Sequence, residues 1–418
     1  MGESVTCPPL EPALKDCIRA HFAAHRDEYR RYILDLLTEL VAQRTVNAGK
    51  ARLDECPGQE VPGEETRVVD VLIPYLEALG VQPEVHALHP RRANLLATMG
   101  QGGRLLAVGL HSDIVPPGDG WGTDPYVVTE RDGMLYGRGV LDDKGPLASA
   151  VAAMKLLRDA GIELGGRFQL AVIAAEEHHE PGEPDPGIGF LMAEGLLKPD
   201  LAVIPDIGEN LRGIDIAEKG RLVIDVTAFG RQAHGSTPER GINAVYAAAR
   251  LIGRIEACTL PHEEHPVLGR PTINLGLIQG GAAANIVPGE CRFTLDVRYV
   301  PGMTAAGIVA FLEGLGAEAG GRFAFDVKGD APPHAVSADH PLVHAIQRCA
   351  EPVLGFVPQA FGMGGGTFAK AFNLGGIPAV GWGPGDDAAF HVADEYVPVE
   401  QLVDFAELLA LLAADLLA

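Results

Sequence analysis

Three short apolar runs constrain the fold of this 418-residue chain more than any other feature. They are RLLAVGL (104–110), FQLAVIAA (168–175) and DLAVIP (200–205). A short, unbroken apolar run of this kind fits a strand covered on both faces, in the middle of a sheet. Helical patterns lie around them, at 11–43, at 64–80 with Gly80 as a stop signal, and at 145–160. Two further strand-like runs are PEVHAL and ANLLATM. Strands separated by helices predict the α/β class, a mostly parallel sheet with helices on both faces.

After Asp206 the texture changes. RLVIDVTAFG (221–230) and CRFTLDVRYV (291–300) alternate apolar and polar residues, as half-exposed strands do. With helices near 241–256 and 303–318 and strands at TINLGLIQGG and FAFDVKG, the order is strand–helix–strand–strand–helix–strand. That order predicts a ferredoxin-like α+β domain inserted in the larger unit. The expected division is 1–217, 218–331 for the insert, and 332–418. The last part carries a helix at 340–354, the run AVGWGP and an apolar C-terminal helix. No internal repeat is found.

The formal charge of −23 argues against nucleic acid or an anionic membrane as a partner. No run of about 18 uncharged apolar residues is present, so no membrane span is predicted. The N-terminus lacks a basic segment followed by an apolar stretch, which predicts no secretory signal. Its first six residues fit a myristoylation pattern too loose to carry weight. The six cysteines are scattered, with no pair at CxxC spacing, and read as reduced thiols of a cytoplasmic protein.

The chemistry gathers where the apolar runs end, which in a parallel sheet is where ligands bind. RLLAVGL runs into His111-Ser112-Asp113, either a metal ligand with a carboxylate behind it or a capped turn with an incidental histidine. GRGVLDDKG places Asp142 and Asp143 between Gly139 and Gly145, ahead of a helix. Two acids there need a cation if buried, or form a solvated turn with a helix cap. FQLAVIAA delivers Glu176 and Glu177, one suited to a metal and one to moving protons. His178 and His179 read as loop residues. DLAVIP delivers Asp206, and AAFHVADEYV offers His391 with Asp394 and Glu395. A mixed set of histidine and carboxylate donors suits zinc or a similar divalent ion. Five ligands exceed one open tetrahedral site and suit two ions sharing a carboxylate.

GLHSDIVPPGDGWGTDPY, GRGVLDDKG, AAEEH, the Asp206 strand, RQAHGSTPERGINA and FHVADEYV together resemble the di-zinc exopeptidase and deacylase family. Its members include acetylornithine deacetylase, succinyl-diaminopimelate desuccinylase, aminoacylase, glutamate carboxypeptidase and carnosine-type dipeptidases. The resemblance runs in order from about residue 30 to the end. It implies a zinc-peptidase catalytic domain with an inserted lid domain through which the chain forms a homodimer. It implies two zinc ions per subunit, in a ligand set that also admits cobalt or manganese. His111 and Asp206 would hold one ion, Glu177 and His391 the other, and Asp142 would bridge them across a cis Asp142–Asp143 peptide. Asp113 would orient His111, and Glu176 would be the general base. His234 would reach into the partner subunit's site, or is a surface histidine at a strand end. Arg298 would pair with a substrate carboxylate, or forms an ordinary salt bridge. Asn285, Gly365, Gly366 and Thr367 would lie at the substrate.

The chain also departs from these relatives. Where two of the deacylases carry an arginine, Ala371 stands in Phe368-Ala369-Lys370-Ala371-Phe372, which puts their specific substrates in doubt. The loop EEHHEPGEPDPG is longer and more acidic than usual. Asp206 stands where deacylases often have Glu and family aminopeptidases have Asp. The expected reaction is hydrolysis of an amide in a small N-acyl amino acid bearing a carboxylate. A dipeptidase acting on unblocked peptides is the alternative, and an inactive metal-binding relative a remote one.

Overall fold

The computed structural model describes residues 12–56, 58–178 and 182–418. The N-terminal pattern, Cys7 and His179 lie outside the described residues. The chain forms two compact units: residues 12–216, 336–360 and 367–418, and residues 217–335 with 361–366.

The first unit opens with helices α1 (Pro12–Val41) and α2 (Thr66–Ala78). Strands β1 (Pro83–His89), β2 (Arg92–Gly100) and β3 (Leu105–His111) follow, then α3 (Lys144–Asp159). Next come β4 (Arg167–Ile173), β5 (Leu201–Ile204) and β6 (Gly213–Glu218), which leads out of the unit. The second unit holds β7 (Gly220–Phe229), α4 (Ala244–Ala257), β8 (Thr272–Gly280), β9 (Glu290–Tyr299), α5 (Ala305–Ala319) and β10 (Arg322–Ala331). The chain then returns to the first unit with α6 (Pro341–Leu354), β11 (Ala379–Gly381) and α7 (Val399–Leu417).

The large sheet of the first unit runs β1-β2-β4-β3-β5-β11-β6. Its centre, β4-β3-β5-β11, is parallel, as the apolar runs predict. The outer pairs β1–β2, β2–β4 and β11–β6 are antiparallel, so the sheet is mixed at its margins. Strand β3 is buried at every residue, which explains its unbroken apolar sequence. One face of the sheet packs Ala107, Ile173 and Ile204 against Phe368, Ala369 and Phe372. Helices α1, α3 and α7 pack together in the same unit. Helix α7 is apolar on nearly all sides and is buried on nearly all sides. Its buried Asp415 meets Lys15 and, at 2.7 Å, Arg348.

The register places the strand ends together. His111 lies opposite Ile173 in β4, and Val108 opposite Val203 in β5. Carried three residues on, that second register sets His111 level with Asp206. Whatever follows β3, β4 and β5 therefore leaves the sheet at one edge.

The second unit has the order expected of it. Its four strands form an antiparallel sheet, β8-β9-β7-β10, with α4 and α5 sharing its core. Leu222, Ile224, Val226, Phe293, Leu295 and Val297 point into that core at alternate positions. Asn243 and Thr304 cap the two helices through hydrogen bonds from Tyr246 N and Gly307 N, both 3.1 Å. Strand β8 is an edge, and its Leu277 and Ile278 are exposed.

Candidate active site

The edge of the parallel strands gathers the residues that the sequence singles out. His111 ends β3, buried. Its Nε2 lies 2.7 Å from Asp142 Oδ1 and 3.8 Å from Asp206 Oδ1. The other oxygen of Asp142 lies 2.9 Å from His391 Nε2, and Glu177 Oε1 lies 3.3 Å from that same nitrogen. One carboxylate thus sits between two imidazoles, an oxygen to each. Two groups have donor atoms within 4.8 Å of one another: His111, Glu176 and Asp206, and His111, Asp142 and Glu177.

Asp142 is carried on a tight turn. The Asp142–Asp143 peptide is cis, and Gly139 has φ of 89°, a region that favours glycine. Gly145 opens α3 against the turn, where a Cβ would fall 2.0 Å from Val140 O. The buried Glu395 carboxylate holds the turn by accepting from Gly139 N (3.0 Å), Leu141 N (2.9 Å) and Asp142 N (3.2 Å). Arg138 Nη1 meets its second oxygen at 2.6 Å. Burial pushes Glu395 up to about 7 against the pull of Arg138. Arg138→Ala strands this carboxylate, and is expected to cost about 3–5 kcal/mol of stability, read as a fall in Tm. The neighbouring acids turn elsewhere. Asp143 accepts from His111 N at 3.2 Å, and Asp394 from Gly122 N at 2.8 Å.

Asp113 meets His111 through its main chain and its carboxylate. The ring Nδ1 of His111 lies 3.0 Å from the main-chain carbonyl of Asp113, and 3.7 Å from its carboxylate. That carboxylate also accepts from Glu176 N and Glu177 N, both 3.2 Å, and from Asn47 Nδ2 at 2.8 Å. It is the carbonyl that fixes the ring tautomer with Nε2 facing the acids.

The electrostatics state what the cluster lacks. Burial, with Asp206 and Glu177 nearby, pushes Glu176 well above the carboxylate range. Burial and Asp142 raise Glu177 to about 7 and Asp206 to about 6. Burial would raise Asp142 as well, but the two imidazoles hold it well below its usual value. Hydrogen bonds to Asp142 and Glu177 raise His391 to about 10, and the acids raise His111 despite its burial. Glu176, Glu177 and Asp206 favour protons, and the imidazoles stand as cations among them. Glu177 Oε1 is buried, and it meets the His391 imidazole at 3.3 Å. Nitrogen and oxygen donors with an excess of buried negative charge fit divalent cations.

The remaining predicted residues are described within their own units. In the second unit His234 is exposed and pairs with Ile286 across a single bridge, while Gly235 N donates to Asn285 O at 2.8 Å. His234 and Asn285 are therefore neighbours. Ser236 N donates to His234 Nδ1 at 3.1 Å, which leaves the proton of the neutral ring on Nε2. Arg298 makes a salt bridge with Asp296 at 2.7 Å and donates to Gly364 O at 3.0 Å, beside Gly365 and Gly366. In the first unit Thr367 accepts from Ala369 N at 3.1 Å and caps the short helix Phe368–Leu374. Phe368 and Phe372 are core residues of that helix, so the altered segment packs the fold. His178 lies in the loop after Glu177, its carbonyl accepting from Asn47 at 2.6 Å. Sequence reasoning missed Asn47, Glu65 and Asn94, polar residues whose burial no local pattern reveals.

The model of peptidase family M20/M25/M40 matches residues 107–415. Acetylornithine deacetylase of Myxococcus xanthus is 32% identical over 390 residues, covering 88% of this chain and 97% of that protein. The fold matches aminopeptidase PepT of Bacillus cereus at a TM-score of 0.74 and 22% identity, over 93% of this chain and 98% of that one. It also matches human carnosine dipeptidase 1 at a TM-score of 0.69 and 20% identity, over 98% and 99% of the two chains. With histidine and carboxylate donors gathered at one sheet edge and a family match spanning most of its length, the chain belongs to peptidase family M20/M25/M40 and is a metal-dependent hydrolase.

Proposed function

We propose that this hydrolase cleaves the amide of a small N-acyl amino acid, with two zinc ions and Glu176 as general base. The observation that carries the reading is the Asp142 carboxylate set between His111 and His391, with Glu176, Glu177 and Asp206 around them. His111 and Asp206 would hold one ion, Glu177 and His391 the other, and Asp142 both. The ions, when bound, would polarise the amide carbonyl and lower the pKa of a water. Glu176 takes the proton of the attacking water and passes one to the leaving amine. Its burial suits this, because a carboxylate raised above its usual range is the stronger base and takes a proton more readily. The Nε2–H of His234 of the partner subunit would donate to the developing oxyanion. Arg298 offers the planar fork that binds a substrate carboxylate, with Asn285, Gly365, Gly366 and Thr367 around the substrate.

The likeness to acetylornithine deacetylase along nearly its whole length supports a blocked, N-acyl substrate. Asp206, with the structural likeness to an aminopeptidase and a dipeptidase, favours the second reading, an unblocked dipeptide. A homodimer is part of the proposal. The exposed edge β8 with Leu277 and Ile278, and exposed Ile242 and Tyr246, supply an apolar face on the second unit. A cytoplasmic location is supported by the five described cysteines, all free thiols. No described helix is long and apolar enough to cross a membrane.

The test is product release by zinc-loaded protein from N-acetyl amino acids, N-carbamoyl amino acids and unblocked dipeptides, with chelator controls. Cleavage of blocked substrates alone is the expected result, abolished by chelator. Cleavage that requires a free amine overturns the deacylase reading and gives Asp206 its meaning. Bound zinc with no turnover on any set overturns both.

A further inference from the structure

Four consecutive main-chain N–H groups follow β4, and a buried side-chain oxygen receives each of them. Ala174 N donates to Asn94 Oδ1 at 2.9 Å, and Ala175 N to Glu65 Oε1 at 3.1 Å. Glu176 N and Glu177 N donate to the two oxygens of Asp113, both at 3.2 Å. Asn94, Glu65 and Asp113 are each 0% exposed.

The acceptors are themselves fixed. Arg92 grips Glu65 with Nη2 at 2.5 Å and Nε at 3.0 Å. Asn94 donates to Pro186 O at 2.8 Å and to His86 O at 3.1 Å. Asn47 donates to Asp113 Oδ2 at 2.8 Å and to His178 O at 2.6 Å. Ala175, within the turn, has φ of 61°, a left-handed conformation that a residue with a Cβ adopts at a cost.

A chain leaving a sheet edge ordinarily gives such N–H groups to water or to the next helix. Here two carboxylates and an amide are buried to receive them, at the expense of desolvation. The turn they hold carries Glu176 and Glu177. Small displacements of a proton-transfer group cost large factors in rate.

We propose that Glu65, Asn94 and Asp113, backed by Arg92 and Asn47, are positioning residues that fix the 174–177 turn and so aim the Glu176 carboxylate. The inference rests on the reading of Glu176 as general base. It gives the Asp113 carboxylate a task apart from His111, and gives the Glu65–Arg92 pair a task in the reaction.

The experiment uses the full chain loaded with zinc. Glu65→Leu/Arg92→Leu removes the pair without stranding a charge, and Glu65→Gln/Arg92→Leu restores a neutral acceptor for Ala175 N. The readouts are hydrogen–deuterium exchange of the 174–178 segment, zinc content, and kcat and KM on the best-cleaved N-acetyl amino acid. The expected result for the Leu/Leu variant is exchange in that segment about tenfold faster, with other segments unchanged. Its kcat falls about a hundredfold with KM and zinc content near wild type. The Gln/Leu variant recovers a large part of both. Asn47→Ala, which removes the donor to Asp113 and to His178 O, carries the same expectation at about tenfold in kcat, and serves where the double variants do not fold. Unchanged exchange, kcat within about threefold of wild type, or loss of kcat in proportion to lost zinc overturns the proposal. Near-normal turnover by Glu176→Ala overturns the base reading instead, whatever the exchange shows.

Discussion

Glu176→Ala is expected to keep its zinc and lose nearly all turnover. The carboxylate lies among the ligand residues without being tied to either imidazole by a hydrogen bond, unlike Asp142. Burial raises it well above the usual range, as a group that exchanges protons near neutral pH requires. General acid–base catalysis contributes about 10²–10⁴, so kcat should fall by about a thousandfold with KM little changed. Metal analysis of the same preparation makes the test specific. The donor atoms of Glu176 also lie within 4.8 Å of those of His111 and Asp206, a spacing that would let it bind an ion. Loss of one zinc equivalent would make it a ligand, and near-normal turnover would remove it from the proton path. Retained zinc with lost turnover assigns it to the chemistry alone.

The metal-ligand candidates were legible because the sheet makes them so. A parallel strand buried on both faces must be apolar until it ends, and the first polar residues after it mark the edge. His111, Glu176, Glu177 and Asp206 stand out on that ground alone. Strand β6 was missed because GIDIAE is six residues long with two acids, and its burial comes from β11 and the layers around it. Beyond the end of β3 at His111, the Asp113 carboxylate also accepts from Glu176 N and Glu177 N, contacts with no signal in the sequence. Phe368 and Phe372 bound the segment in which Ala371 stands where two of the deacylases carry an arginine. Their separation by four residues is the helical spacing of a core face, and that is how they pack. Glu65, Asn94 and Asn47 had no signal. Each is a polar residue that only the tertiary arrangement brings to the 174–177 turn.

Asp142→Asn should empty both metal positions where loss of any other single ligand empties one. Its carboxylate presents Oδ1 to His111 at 2.7 Å and Oδ2 to His391 at 2.9 Å, so it is the one group that both histidines share. Asparagine keeps the shape but offers one weak oxygen donor and, on the other side, an NH₂ that cannot bind a cation. It also removes a carboxylate that the imidazoles hold well below its usual pKa, leaving His111 and His391 less counter-charge. Altering a group that merely supports a ligand costs 10–100-fold in metal affinity, so removal of a shared ligand should exceed about a hundredfold at both positions. Calorimetric zinc titration of chelator-stripped protein reads this directly. His391→Ala is the control, expected to weaken one position and leave the His111–Asp206 position near wild type. Two zinc ions bound by Asp142→Asn with near-normal affinity would show that the carboxylate does not bridge. Loss of one ion only would make Asp142 a terminal ligand, and the pairing of His391 with Glu177 would then have to account for the other position alone.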